Sequence, residues 1–277
     1  MAEEKKAELA KVDPKTGLPA VPDYLKIEND KSMDDLTQYI RPSRVKVVQS
    51  MTDSEVLSEF GLGTTILVPD KIVILDMPRD GKGQPQPDTA QPFLFTPLFF
   101  FTEFCVWNPL EMKGTLPAIR ERSFDPNSKT ARMSRDFSAR EQPCPDDPSH
   151  KIIYCEHLNF IIQIHGQDEP CVLSFSRGEF KAGTNFAALL KLRNVPIYGN
   201  VFAANIAFRK GTKGNWYGLD ISNPSGSESP FVGEAAFLRY KEAHLQFAEA
   251  HSSALIDVNY EDDVIDVGVK SEPAASM

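Results

Sequence analysis

Hydrophobic and polar positions along the chain alternate mainly with the two-residue period of β-strands. We predict strands where this alternation, or a run of β-branched and aromatic residues, continues over about four or more positions. These segments are residues 44–49, 64–68, 71–75, 92–109, 151–165, 171–176, 196–208 and 215–221. Pro97 is expected to bend or divide the fourth segment, and short connections of the hairpin type join the fifth to the sixth and the seventh to the eighth.

Helical spacing occurs in only a few segments. Thr52 and Glu55 form a capping box at the start of a short predicted helix. Residues 183–193 and 233–251 place apolar side chains on one helical face and are predicted to pack against the sheet.

The predicted fold class is therefore mainly β with α, an α+β arrangement of one core with charged ends. Its parts are a flexible N-terminal arm at residues 1–40, a β-rich core at 41–232 with an insertion of short helix and loop at 110–150, a C-terminal helix at 233–252, and an acidic tail at 253–277.

Charge is distributed unevenly along this pattern. The formal net charge is −9, which by itself argues against a nucleic-acid partner. Residues 112–140, however, contain seven basic against three acidic residues, and residues 171–217 contain seven basic residues against Glu179 alone. Residues 1–36 and 257–277 carry an excess of acidic over basic residues. The middle of the chain is basic, which indicates either a binding surface or ordinary solvated charge.

The second basic stretch also carries the aromatic residues that single-stranded nucleic acid requires. Cations follow the phosphates, and exposed rings stack on bases. The candidate binding residues are Arg177, Lys181, Lys191, Arg193, Tyr198, Arg209, Lys210, Lys213, Trp216 and Tyr217. Adjacent strand residues point to opposite faces, so at most one of Trp216 and Tyr217 can face such a groove. About half of the rings in this stretch are expected to be core residues instead.

Signals for other chemistry are weak. Cys144, His150, Cys155 and His157 could form a tetrahedral zinc site, although their spacing matches no standard zinc motif and buried free thiols are the simpler interpretation. The glycines near Thr184 lack the lysine of a phosphate-binding loop, and no nucleophile elbow is present. We therefore expect no enzymatic activity and no cofactor. With no apolar run of about 18 residues and a charged start, we expect a cytoplasmic protein without a membrane span.

Several segments together resemble those of tailed-phage single-stranded DNA-binding proteins of the oligonucleotide/oligosaccharide-binding (OB) type. They are RPSRVKVVQSMTDSEV, PLFFFTEFCVWNP, VLSFSRGEFKAGTNFAALL, PIYGNVFAANIAF and GNWYGLDISNPSG. The resemblance covers residues 41–232 in order of elements. It implies a five-stranded OB-like barrel with a nucleic-acid groove, in a protein of the host cytoplasm.

The resemblance also implies a function and partners. We expect a sequence-tolerant binder of single-stranded DNA in phage replication or recombination, capable of self-association. Its acidic tail would contact replication or recombination proteins through Tyr260, Glu261, Asp262, Asp263 and Asp266. The alternative is a phage virion or assembly protein whose core and arms pack against other subunits.

Overall fold

The computed structural model describes residues 41–50, 52, 54–211, 214–226 and 229–260. The predicted arm at residues 1–40 and the part of the tail beyond Tyr260 lie outside these residues. No helix in the described part of the chain is long and apolar enough to cross a membrane.

Ten strands and four α-helices make up the described residues. The strands are β1 (Arg44–Val47), β2 (Thr65–Val68), β3 (Ile72–Leu75), β4 (Phe93–Trp107), β5 (Ile119–Ser123), β6 (Glu141–Pro143), β7 (Lys151–Ile164), β8 (Cys171–Ser176), β9 (Phe202–Gly211) and β10 (Gly214–Ser222). The helices are α1 (Ser54–Phe60), α2 (Lys129–Arg135), α3 (Phe180–Arg193) and α4 (Glu234–Ser252).

All ten strands belong to one sheet, whose main order is β10-β9-β4-β7-β8-β1-β2-β3, with β5 on β4 and β6 on β7. The sheet curls into a half-barrel. Gln49, which follows β1, joins the edge strand β10: its Nε2 donates to the Tyr217 carbonyl at 2.5 Å, and its Oε1 accepts from the Tyr217 N–H at 3.0 Å. Strands far apart in the sheet order are thereby brought together.

One face of the sheet is filled by an aromatic core that α3 closes. Phe186 of α3 is fully buried, and its ring centre lies 4.5 Å from that of Phe160, 5.0 Å from that of Phe202 and 5.7 Å from that of Phe95. Gly183 allows this approach, because a Cβ there would come within 2.6 Å of the Phe175 Cβ. The first half of β4 and the even-numbered residues of β7 thus share one core with the helix.

Strand β4 supplies residues to both faces because its register shifts next to Pro97. Pro97 pairs with Ile162 of β7 and Phe99 with Ile161, which leaves one extra residue in β4. An extra residue reverses which side of the sheet each later side chain faces. Phe95 therefore lies in the α3 core, whereas Phe101 lies in the core of the opposite face beneath α4. Pro97 bends the strand without dividing it.

The first residues of the predicted tail belong to this second core, which corrects the sequence prediction. Ile256, Val258 and Tyr260 are 7%, 1% and 1% exposed and pack with Trp107 and Tyr240. Alternate residues of a short extended segment are thus buried against the sheet, while the residues between them make polar contacts. The solvated tail cannot begin before Tyr260.

Most other elements follow the sequence prediction, but the strand predicted at 196–208 begins only at Phe202, after a 3₁₀ turn at Ile197–Gly199. The mainly β class with helices is confirmed. The predicted insertion at 110–150 also contains β5 and β6, which extend the sheet beside β4 and β7. The implied barrel had five strands, whereas the described residues form ten; among the additional ones, β5 pairs with the last residues of β4 and β6 with the first residues of β7.

Candidate nucleic-acid interface

Trp216 packs against two segments of the basic stretch, the turn from β8 into α3 and the β9–β10 hairpin. Its half-buried indole lies against two glycines: a Cβ added at Gly178 would be 3.0 Å from the Trp216 Cζ2, and one at Gly211 would be 2.6 Å from its Cζ3. Gly178 follows Arg177, and Gly211 follows Lys210. Arg177 and Lys210 are exposed and adjoin these contacts in sequence. Lys210 pairs with Asn215, however, so its side chain lies on the face of the β9–β10 hairpin opposite Trp216.

A carboxylate fixes the indole in this position. The Trp216 Nε1 donates to Glu179 Oε1 at 2.7 Å. Arg209, which pairs with Trp216 across the β9–β10 hairpin, donates to the same carboxylate through Nε at 3.1 Å and Nη2 at 3.2 Å, and to Asp220 at 2.8 Å. Burial lowers the pKa of Arg209, but its hydrogen bonds to the negatively charged Glu179 and Asp220 outweigh this effect, so the pKa is raised. Arg209 is a neutralised cation here.

Three exposed candidate cations keep their charge available to a ligand. Arg177, Lys181 and Lys210 are exposed, and no side-chain partner neutralises them within the described part of the chain. Arg177 has a φ of 50°, which turns the chain from β8 toward α3. Lys181 follows Glu179 by two residues in the first turn of α3. Arg177 and Lys181 thus flank Glu179 in the segment that contacts the ring, and Lys210 lies on the other face of β9.

Other candidate residues do not face this surface. Tyr217 is buried against Phe208, at 5.2 Å between ring centres, as expected for the neighbour of Trp216 on a strand. Tyr198 packs between Phe237 and His244 of α4. Tyr217 is a core residue and Tyr198 is half-buried against α4, which corrects their assignment as stacking residues.

Arg193 is a structural residue rather than a free cation, which corrects the prediction. Its Nη1 donates to the Val201 and Pro230 carbonyls at 3.0 and 2.8 Å, and its guanidinium lies 4.0 Å from the centre of the Phe202 ring. Lys191 is exposed in the last turn of α3, about 15 Å along the helix from Lys181. Lys213 lies outside the described residues.

Three of the seven cations of the first basic stretch form ion pairs within the protein. Arg120 pairs with Asp146, Arg135 with Glu156 at 3.2 Å, and Arg122 with Asp257. The predicted positive segment at 112–140 is thus largely neutralised by carboxylates that come from elsewhere in the sequence. Its excess of cations stabilises the fold and leaves a much weaker positive surface than the sequence count indicates.

Tyr260 anchors the C-terminal segment in a buried polar cluster. Its hydroxyl donates to Glu103 at 2.9 Å, and its ring lies between the guanidinium groups of Arg44 and Arg122, each 5.4 Å from the ring centre. Burial raises the pKa of Glu103, an effect that the charge of Arg122 and the hydrogen bond from Tyr260 partly offset. Tyr260 is therefore not a solvent-exposed partner contact. The other predicted tail contacts, Glu261, Asp262, Asp263 and Asp266, lie outside the described residues.

The four candidate zinc ligands do not come together at one site. Cys144 packs with Ile152 and Tyr154 on one face of β7, whereas Cys155 and His157 point to the other face. His150 lies 3.6 Å from Asp147. Among the described residues, no group of three or more histidine, cysteine, aspartate or glutamate side chains could hold a metal ion.

A comparison with protein families gives the origin of the chain. The model of the Pam3 phage gp34-like protein family matches residues 87–249, more than half of the 277 residues. The chain belongs to this family. No curated protein and no solved structure gives a significant match. The family match runs from the segment before β4 into α4, so it includes the whole Trp216 surface but neither β1–β3 nor the Tyr260 anchor.

Glu179 is the functional candidate that sequence reasoning missed. The sequence shows it only as a single acidic residue in a basic stretch. Its contacts with Trp216 and Arg209 depend on the approach of the β8–α3 turn to the β9–β10 hairpin, which residue spacing does not reveal. The sequence feature that could have indicated it is the set of glycines at 178, 211 and 218, which lie around Glu179 and Trp216 in the structure.

Proposed function

We propose that this phage protein binds single-stranded DNA, without strong sequence preference, on the Trp216 surface. The observation that carries the proposal is the half-buried indole packed against Gly178 and Gly211, with exposed Arg177 and Lys181 in the segment that contacts it through Gly178 and Glu179. A base stacked on an aromatic side chain contributes about 1–3 kcal/mol, independently of base identity, and adjacent cations bind the flanking phosphates. The phage family and the curled sheet support this proposal. An OB-type groove is part of what we propose.

The number of free cations sets an upper limit on the electrostatic contribution to DNA binding. Three free cations, Arg177, Lys181 and Lys210, correspond to about three phosphate contacts. Each contact on a single strand contributes about 0.7 to the slope of log K against log salt concentration, so we expect a slope of about −2. This is smaller than the count of seven cations in the sequence indicates, because Arg193 and Arg209 are engaged within the protein.

Charge reversal on this surface tests the proposal. Lys210→Glu and Arg177→Glu should each weaken binding of a fluorescein-labelled oligo-dT and reduce the slope by about 0.7. Lys129→Glu is the matched control, because Lys129 is exposed at the start of α2, which packs on β4, β5 and β7. Equal losses in all three variants would mean that net charge alone, and not this surface, governs binding.

The acidic residues that follow Tyr260 are proposed to recruit replication or recombination proteins. The anchor of Tyr260 to Glu103 supports this proposal, because it gives the segment that begins at Glu261 a fixed point of departure. A chain ending at Tyr260 should still bind oligo-dT but should lose contact with such partners. Retention of those partners by the shortened chain would contradict the proposed role.

A virion or assembly protein is the second candidate, and apolar surface favours it. Leu238 and Leu245 on α4 are 61% and 59% exposed, and Ile72 and Val73 are exposed on the edge strand β3. An interface with an apolar centre would form independently of salt, unlike phosphate binding. Sedimentation at low and moderate salt, with Leu238→Gln/Leu245→Gln as the variant, distinguishes the two candidates. A salt-independent oligomer lost in this variant would support assembly.

A further inference from the structure

Glu179 occupies an unusual position for an acidic residue on a proposed DNA-binding surface. Its carboxylate contacts both the indole N–H of Trp216 and the guanidinium of Arg209. Gly218 leaves the room for it, since a Cβ there would lie 2.2 Å from Glu179 Oε2. A carboxylate at this position would repel phosphate. Its presence beside Trp216 therefore needs an explanation other than DNA contact.

We propose that Glu179 is a positioning residue: it fixes the plane of Trp216 for base stacking and withholds Arg209 from phosphate. This inference rests on the proposed function and deepens it. Glu179 would thus determine which parts of the strand the surface recognises, a base at Trp216 and phosphates at the surrounding cations.

The positioning role follows from the contacts of the indole. The 2.7 Å hydrogen bond from Nε1 to Glu179 fixes one edge of the ring, and Gly178 and Gly211 contact its benzene edge. Held at both edges, the ring has little freedom to rotate. A ring fixed before binding does not lose rotamer freedom when a base stacks on it, so more of the stacking energy appears as affinity.

The withholding role follows from the charges around Arg209. One guanidinium faces two carboxylates, those of Glu179 and Asp220, at 3.1 and 2.8 Å. This group of three side chains carries a net negative charge. A phosphate placed there would be repelled, whereas Arg177, Lys181 and Lys210 remain free of such partners in the described structure. The strand should therefore run past these three cations with its phosphates away from Arg209.

Two substitutions at the same position separate the two roles. Glu179→Gln removes the charge but keeps an oxygen that can accept from Trp216. We expect unchanged tryptophan emission and about threefold tighter binding of oligo-dT at low salt, the effect of one unit charge at about 7 Å in water. Glu179→Ala also removes the acceptor. Here we expect a red shift of the emission, less quenching per bound oligo-dT and weaker binding than in Glu179→Gln.

Asp220→Asn is the matched control, because it removes the other carboxylate on Arg209 without touching Trp216. It should tighten binding as Glu179→Gln does and leave the emission unchanged. If wild type binds oligo-dT but both Glu179 variants match it in affinity and quenching, Glu179 is only a structural ion-pair partner and the inference is wrong. If wild type itself fails to bind, the proposed function is wrong.

Discussion

His157 should make the folded protein sensitive to mild acid. The imidazole is 2% exposed on β7 and lies between the rings of Trp107 and Tyr260, with ring centres 5.8 and 4.7 Å away. Its Nε2 accepts a hydrogen bond from the Trp107 Nε1 at 3.2 Å, which requires an unprotonated nitrogen. Burial, together with the nearby charges of Arg44, Arg177 and Arg122, lowers the pKa of His157 to about 3.

The sign of the effect follows from which state binds the proton. In the unfolded chain a histidine has a pKa of about 6.5, so it takes up a proton between pH 7 and pH 5 that the folded protein excludes. The stability contributed by neutral His157 is fully present above pH 6.5 and is lost as the pH falls toward about 3. At about 1.4 kcal/mol per pH unit, the loss between pH 7 and pH 5 is about 2 kcal/mol.

The measurement is urea unfolding at pH 7, 6 and 5 for wild type and for His157→Gln. Glutamine keeps an acceptor for Trp107 but does not titrate, and all other ionisable groups are common to both proteins. The stability advantage of wild type over the variant should therefore shrink by about 2 kcal/mol between pH 7 and pH 5. A difference in unfolding free energy that stays constant over this range would refute the reasoning.

Three further predictions concern packing and internal hydrogen bonds. Tyr260→Phe, which removes the hydroxyl that donates to Glu103, should lower the unfolding free energy by about 1–3 kcal/mol, and no change in urea unfolding would mean that this segment is not anchored. Gly183→Ala should cost about 1–3 kcal/mol through overpacking against Phe175, whereas Gly81→Ala, with open space around it, should be nearly neutral in thermal unfolding. Arg193→Gln should destabilise the fold, because it leaves the Val201 and Pro230 carbonyls unpaired. It should leave the salt slope of oligo-dT binding unchanged, and a reduced slope would show that Arg193 contacts phosphate after all.

The periodic parts of the sequence predicted the elements well, because burial of one face imposes a visible pattern. The 171–176 and 215–221 segments appear as β8 and β10 with closely similar bounds, and the predicted helix at 233–251 appears as α4. The strands β5 and β6 escaped prediction. They are short and half-exposed, and their charged sequences, such as IRERS, lack a clear apolar face.

The C-terminal segment shows a signal that the acidic composition concealed. Ile256, Val258 and Tyr260 alternate with polar residues, which is the pattern of a half-buried extended segment. Composition favours a solvated tail only when no such alternation is present.

The candidate site was predictable in residue type but not in arrangement. Gly178 and Gly211, the sequence neighbours of Arg177 and Lys210, contact Trp216, but the Lys210 side chain lies on the other face of the hairpin. Arg193 and Arg209 were counted as cations, yet carbonyls and carboxylates engage them. Sequence shows how many charges a stretch carries, whereas tertiary contacts decide which of them remain available.

The most direct test of the central claim uses the two tryptophans of the chain. Trp107 is buried, so a change in fluorescence on ligand binding should come from Trp216. The measurement is titration of the full chain with unlabelled oligo-dT of about 16 nucleotides at low and moderate salt, with Trp216→Phe as the control that reports Trp107 alone. We predict saturable quenching in wild type that weakens with salt along a slope of about −2 and is absent in the control. No quenching at low salt, in the full chain and in a chain ending at Tyr260, would contradict single-stranded DNA binding at this surface.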